Sequence, residues 1–595
     1  MAPSPRPAPP AERCRAGSSW ARGERPTIGP VGQTEFNLAA VHTAVEQRAA
    51  ERDCIVGMRA DGTVERRSYR QVGDRTRQLA NALRSRGLGT VVERDRLASH
   101  ESGQDHLALY LHNGAEYLEG MLGAYKARVA PFNVNYRYVA EELEYLLRDA
   151  GARGIVYHSA FAPTLAAVRD RIDGLDVLLQ VPDPSGNELL PGAEWYGDIV
   201  AAEPTELPED LVASWSPDDL YILYTGGTTG MPKGVLWRQA DIFVTAMGGR
   251  RNTDQAEWAS YDQLADNAVP GGMKLLPGPP FMHGAAHWVA FNFFTNGNTV
   301  VLPSVTDRLD VVDLLSTVDA EDVNVVLIVG DAFGRPLAEA IESAVTEGTH
   351  DLSSLLAIAS GGAALSPGVK QRLLRALPSI IVMDGLGASE TGQQATQLTT
   401  AGQEPSTGDF QPGPGMCILS EGLDAVLPAG HEELGWLGQT GRVPLGYLGD
   451  ADKTARTFPV IDGVRFAVPG DRARLSADGH LELAGRDSAT INSGGEKIFA
   501  EEVEQAVLHH PGVRDCVVAA RPSARWGSEV VAVVAVTGGE VTDDEILAEA
   551  ARHIARYKLP KAIVRRDELQ RSPSGKADYR WAREQALAAM RESAS

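Results

Sequence analysis

The chain has 595 residues, 43% of them hydrophobic and 23% charged, with a formal net charge of −23. That length exceeds what one hydrophobic core serves and predicts two or more domains. So acidic a surface repels nucleic-acid backbones and anionic lipid, which argues against both as partners.

The opening stretch, MAPSPRPAPPAERCRAGSSWARGERP, is rich in Pro and Arg, and residues 1–30 read as a disordered tail. It lacks the apolar core of a signal peptide, and no run approaches the ~20 apolar residues of a membrane helix. The four cysteines, Cys14, Cys54, Cys417 and Cys516, are scattered without CxxC or metal spacing. They are read as incidental thiols of a reducing, cytoplasmic compartment.

Globular patterning starts near Phe36. LAAVHTAVEQRAAER (38–52) and YRQVGDRTRQLANALRSRG (69–87) carry apolar residues at helical spacing. LALYLHN (107–113) and GIVYH (154–158) read as short buried strands. AEELEYLLRDAG (140–151) is an amphipathic helix ending at a glycine. Strands and helices alternate to about residue 480, the pattern of an α/β fold in which doubly wound, largely parallel sheets carry helices on their faces. The last hundred or so residues differ. AEEVEQAVLHH (500–510) and DDEILAEAARHIARY (543–557) read as helices, and CVVAA, VVAVVAV and KAIVRRD as strands, a small α+β unit. His509 and His510, before Pro511, read as a helix end. The join falls in GRDSATINSGGEKIF, so the expected domains are 31–485 and 486–595.

YTGGTTGMPKG (224–234) follows the strand-like DDLYILYT. Its backbone amides therefore lie at a strand end, where ligands collect in α/β folds. Gly226, Gly227 and Gly230 let several N–H groups face one point. Thr225, Thr228 and Thr229 add hydroxyls and Lys233 a full charge, which is chemistry for a polyphosphate. A Walker A loop is excluded, because Pro232 precedes Lys233 and Gly234 follows it.

This loop resembles the phosphate loop of the adenylate-forming enzymes, which include acyl-CoA synthetases, peptide-synthetase adenylation domains and firefly-type luciferases. Further motifs follow in the family's order. SGGAAL (360–365) resembles the adenine-contacting turn, and GLGASETG (385–392) the YGxTE motif. PGDRARLSADGHLELAGR (469–486) resembles the ribose-binding segment, NSGGEKIFAEEVE (492–504) the opening of the C-terminal domain, and RSPSGKADYR (571–580) the PxxxxGK motif. In wording the chain looks most like actinobacterial acyl-CoA synthetases that activate steroid side chains and bulky terpenoid acids.

The resemblance implies a large AMP-binding domain with a small β-barrel-like subdomain and a small mobile C-terminal lid. It also implies ATP, Mg²⁺ and CoA, an acyl-adenylate, and thiol attack that releases AMP. Lys576 would bridge carboxylate and α-phosphate, and Glu390 would bind Mg²⁺. Thr225 to Gly230 and Lys233 would hold phosphate. Gly361, Gly362, Ala363, Asp384, Gly385, Leu386, Gly387 and Ser389 would surround adenine and phosphate. Asp471 would accept the ribose hydroxyls and Arg486 would contact ribose or phosphate. Leu386 replaces the family's stacking aromatic ring, Ser389 its threonine, and Ser488, beside Asp487, its hinge Asp or Lys. Gly494 and Gly495 would let pantetheine pass, with a plain hairpin turn as the competing reading, and Lys497 would aid CoA phosphate binding, with a solvated lysine as the competing reading.

By the same resemblance PPFMHGAAHW would put His283 near the substrate carboxylate and Gly284 in the acyl pocket, to which IVGDAFGRP would add Gly330 and Asp331; helix capping by Asp331 and simple packing of His283 are the alternatives. With Gly361, these small residues are expected to leave room for a wide, ring-bearing acid. A medium- or long-chain fatty or aryl acid, or loading of an acyl-carrier protein, are the other readings. General symmetry favours a homodimer.

Overall fold

The structure, a computed structural model, describes residues 34–226, 231–362, 365, 367–406, 409–486, 490–536, 541–570 and 579–594. Residues 34–595 group as one compact unit.

Two large sheets form the body of the molecule. In the first, Asp53–Met58, Thr299–Leu302, Lys274–Pro277, Val325–Ile328, Ala357–Gly361 and Ile381–Ala388 run parallel. In the second, Leu220–Gly226, Ala130–Asn133, His106–Tyr110, Ala152–His158 and Val177–Val181 run parallel, and Pro232–Arg238 pairs antiparallel to Leu220–Gly226. The two sheets share a core. Ile55, Leu275, Val300 and Leu327 of one, and Leu107, Leu109, Tyr221 and Leu223 of the other, pack on helices between them, including Tyr69–Ser85, Ala115–Lys126 and Gly284–Thr295. The outer face of the second sheet buries Leu143, Leu146 and Leu147 of helix Ala140–Asp149. The outer face of the first covers Leu337, Ile341, Val369 and Leu373 of two further helices. Helices thus cover both faces of both sheets, as the alternating pattern predicts.

Local chemistry marks the helix starts. Asn37 accepts hydrogen bonds from the backbone of Ala39 and Ala40, and Ser68 forms a capping box with Gln71. Beyond Ile381–Ala388 the first sheet turns antiparallel through Gly392–Thr399 and Asp409–Pro412. It continues into a subdomain of short antiparallel strands around Phe410, Ile418, Leu437, Ala473 and Leu481.

The C-terminal region is a separate layer. Val513–Ser523, Gly527–Val536 and Ala562–Arg565 form a three-stranded sheet. Helices Ala500–Leu508 and Asp543–Ala550 cover one face and Tyr579–Ala594 the other. The helix expected over 543–557 stops at Ala550. The chain then tightens into a turn and the short helix Arg556–Lys558, which presents His553 and Lys558 to the large domain.

Candidate active site

The glycine–threonine loop joins two antiparallel strands, with Thr225 opposite Lys233 and Gly226 opposite Pro232. Gly227, Thr228, Thr229 and Gly230 lie outside the described residues. Strand Leu220–Gly226 enters the site rigidly, because Tyr221, Ile222, Leu223 and Tyr224 are buried and the Tyr224 hydroxyl donates to Asp149 at 2.8 Å. Lys233 Nζ stands 4.0 Å from Asp149 and 3.8 Å from Asp450. A second cation flanks it: Lys453 Nζ sits 4.1 Å above the Tyr447 ring. Burial lowers the Lys453 pKa, opposed by Glu390 and Asp450. The patch sets two lysines among three carboxylates, with Asp149 and Asp450 facing Lys233 and Glu390 and Asp450 facing Lys453.

Glu390 reaches the same patch. Its Oε1 accepts from the Tyr447 hydroxyl at 2.7 Å, and Tyr447 pairs with Val235, two residues beyond Lys233. The Trp237 indole donates to the Ser389 carbonyl at 2.9 Å, tying the Glu390 turn to the phosphate hairpin. Among the described residues no group of three or more His, Cys, Asp or Glu is arranged to hold a metal ion. A divalent ion here would therefore rest on one carboxylate, water and phosphate oxygens, a donor set that suits Mg²⁺.

The adenine-side motifs lie side by side at the C-terminal ends of parallel strands. Gly361 pairs with Gly385, Ser360 with Asp384, and Ile328 with Ser360, while the Gly330 N–H donates to the Ser360 hydroxyl at 3.1 Å. Among the described residues, a Cβ at Gly361 would meet only the Gly385 carbonyl, at 3.7 Å, and one at Gly385 only the Ser360 carbonyl, at 3.6 Å. These glycines therefore leave an open groove rather than fill a packing gap. Gly387 differs, since a Cβ there would strike the Gly392 carbonyl at 2.3 Å. Gly362 adopts φ 86° just past the strand end. Asp384 is buried and ion-paired with the buried Lys370, so its carboxylate serves the fold beneath the groove. Leu386 packs, half-buried, on the antiparallel subdomain's core. Asp471 pairs in register with Arg486 on adjacent strands of that subdomain. Ala363, Asp487, Ser488 and Lys576 lie outside the described residues.

The C-terminal domain inserts a hairpin into this site. Thr490–Ser493 and Glu496–Phe499 pair, with Asn492 opposite Lys497 and Gly494 and Gly495 at the turn, φ 61° and 85°. A Cβ at Gly495 would stand 2.6 Å from Val329, and one at Gly494 2.7 Å from the Trp526 ring. Both glycines are thus required by close approach as well as by positive φ. Glu496 pairs with Arg137, and its Oε1 stands 3.3 Å from His283 Nε2. Burial alone would raise the Glu496 pKa, but His283, Arg137 and Lys558 hold it at about 2, so it is a carboxylate.

His283 precedes helix Gly284–Thr295. Asn133 positions it: Nδ2 donates to the Met282 carbonyl at 2.7 Å and to the Tyr224 carbonyl at 2.9 Å, so the phosphate strand and the His283 turn move as one piece. Gly284 leaves no open volume, because a Cβ there would lie 2.9 Å from Leu223 and 3.0 Å from Trp288. Gly330 and Asp331 open helix Gly330–Glu347, with Gly330 at φ 50°.

The sequence reading missed Asn133, Arg137, Tyr447, Lys453 and Glu496. Glu496 lies inside the quoted SGGEK string, read there only for its glycines and lysine. The others belong to no motif and become visible only when the strands pair.

A strand-end anion site, an open glycine groove and an inserted C-terminal hairpin define a nucleotide-dependent ligase of the adenylate-forming kind. The chain matches the model of the AMP-binding enzyme family over residues 41–439 and that of the AMP-binding enzyme C-terminal domain over 502–576, and it belongs to that family. Within it, the chain stands in the AMP-forming acyl-CoA ligase branch. It is 55% identical over 556 residues to medium-chain acyl-CoA ligase Mig of Mycobacterium avium, covering 93% of this chain and 99% of that one. It is 37% identical to 3-oxocholest-4-en-26-oate–CoA ligase of Rhodococcus rhodochrous, covering 87% and 91%. The fold matches amide bond synthetase McbA of Marinactinospora thermotolerans with a TM-score of 0.72 at 20% identity, covering 91% and 99%. A fatty acyl CoA synthetase of Mycobacterium tuberculosis matches with a TM-score of 0.61 at 20% identity, covering 93% and 99%. Among the described residues no helix is long and apolar enough to cross a membrane.

Proposed function

We propose that this enzyme joins a medium-chain fatty acid to CoA: the carboxylate attacks the α-phosphate of ATP, pyrophosphate leaves, and the CoA thiol displaces AMP from the acyl-adenylate. The observation that carries the substrate class is the 55% identity to a relative named for medium-chain acids, against 37% for one named for a steroid acid. The bulky polycyclic acid read from the wording of the motifs is thus less well supported than its fatty-acid alternative.

Lys233 and Lys453 bind the triphosphate, with the amides of residues 225–230. Glu390 holds Mg²⁺, which when bound offsets the phosphate charge. The groove at Gly361 and Gly385 takes the adenylate, and Asp471 takes ribose. Lys576 serves adenylate formation, when two anions must meet. The hairpin at Gly494 and Gly495 serves thiol entry, and the arrangement described here, with Glu496 beside His283, fits that second step. The small domain, 486–595, alternates between the two about Asp487 and Ser488.

Acid-dependent pyrophosphate release, measured over hexanoate to palmitate, aryl acids and a C26 steroid acid, with and without CoA, tests this reading. Highest kcat/KM at medium chain length is expected, and preference for the steroid acid would overturn the substrate class.

A further inference from the structure

Away from the reacting groups, a buried charge cluster closes the seam between the two domains. Lys558 Nζ donates to Glu142 Oε1 at 2.7 Å and to Glu502 Oε1 at 2.5 Å. All three side chains are almost fully buried, at 3%, 3% and 5% exposure for Lys558, Glu142 and Glu502. Glu142 lies on helix Ala140–Asp149 of the large domain, whereas Glu502 and Lys558 both belong to the small one. The Lys558–Glu502 pair therefore travels with the small domain, and the Lys558–Glu142 pair exists only in this docking.

We propose that Glu142 is a positioning residue for the thiol-transfer half-reaction: its ion pair with Lys558 latches the small domain in the arrangement that seats the Glu496 hairpin at His283. The proposal rests on the two-arrangement reading above.

Three observations support it. First, the small-domain side of the latch is continuous with the hairpin, because Glu502, which holds Lys558, follows it directly in the chain. Strand Glu496–Phe499 runs directly into helix Ala500–Leu508, which carries Glu502. Second, neighbouring contacts cross the same seam in the same register. Asn135 Nδ2 donates to the Tyr557 hydroxyl at 2.8 Å, Arg137 lies 5.4 Å from the Tyr557 ring centre, and His553 Nδ1 stands 2.9 Å from Glu141. Third, a buried carboxylate is tolerated only with its partner in place, so a docking displaced by a few ångströms strands the charge of Glu142. The contact thus selects register more than it adds affinity. Lys558 also lies 4.9 Å from the Tyr138 ring centre, so its surroundings are built for a cation.

The pair inside the small domain survives when Glu142 is replaced, so that domain keeps its own buried partner. Glu142→Gln keeps the shape and removes the charge, and Glu142→Asp keeps the charge and shortens the reach. Two rates are read for each: acid-dependent exchange of pyrophosphate into ATP, and transfer of supplied octanoyl-adenylate to CoA. Transfer is expected to fall about tenfold or more in Glu142→Gln, in line with the cost of unpairing a buried charge. Glu142→Asp should fall between that variant and the native enzyme, and exchange should stay within about twofold in both. Unchanged transfer in both variants, or equal loss in both half-reactions, would overturn the latch. If Glu142→Gln does not fold, as judged by its melting curve, the transfer-to-exchange ratio of Glu142→Asp decides alone. Exchange by the native enzyme tests the functional reading separately.

Discussion

Glu390 and Gly361 illustrate two ways in which one residue serves the site. Glu390 brings a carboxylate beside Lys453 and the phosphate hairpin, held by the Tyr447 hydroxyl. Glu390→Ala should lower turnover with Mg·ATP on the order of 10²-fold, the loss seen when a preorganised electrostatic group is deleted. Tyr447→Phe should cost about tenfold, one hydrogen bond's worth of orientation. Steady-state rates titrated with Mg²⁺ check both. Gly361 contributes by having no side chain. Among the described residues an added methyl would meet nothing closer than 3.7 Å, so Gly361→Ala should melt like the native enzyme. It should nonetheless raise KM for ATP or acid about tenfold if, as proposed, the groove takes the adenylate. A lowered melting temperature with unchanged KM would show that the groove is a packing feature. At this scale the sequence was legible where a residue carries its chemistry in a motif, as Glu390 does. It was silent on Asn133, whose amide acts only because Tyr224 and Met282 come within its reach.

Among the elements, the hairpin 490–499 shows most clearly what pairing adds. Its glycines were legible as a turn or a thiol entrance, and the structure shows a turn pressed on Val329 and Trp526. Gly495→Leu adds a branched side chain at positive φ, 2.6 Å from Val329 at its first carbon. It should slow transfer from acyl-adenylate to CoA by about 10²-fold or more while adenylate formation persists, a split that single-turnover assays of each half resolve. Lys576→Ala should show the opposite split. Equal loss of both halves in either variant would count against two alternating arrangements. Helix 543–557 was legible by its periodicity, but not its end at Ala550. Local propensity carries no information about Glu141 and Glu142, the large-domain partners of His553 and Lys558.

For the whole molecule, the buried histidines set the acid limit. Burial lowers His112, His158 and His287 from the usual 6.5 to about 4. His287 stands 2.5 Å from the Tyr221 hydroxyl and 2.6 Å from the Phe281 carbonyl, and the ring is neutral. The unfolded chain takes up protons below pH 6.5 that the folded chain refuses until about pH 4. These rings therefore cost no stability above pH 6.5 and cost progressively more as pH drops through 6.5 towards 4. Melting temperatures measured from pH 7.5 to 4 should decline steadily across that window; a flat profile would refute the neutral, buried state of these rings.

By itself the sequence determined the fold class, the order of the domains and the family chemistry. Periodicity specifies which face of each element is apolar, and the family's motifs are written in contiguous residues. Only the tertiary structure decided that Lys453 joins Lys233, that Glu496 meets Arg137 and His283, and that Gly284 is already filled. Each of those depends on side chains brought together from distant segments, and no local pattern encodes a distance between strands that the packed core alone sets.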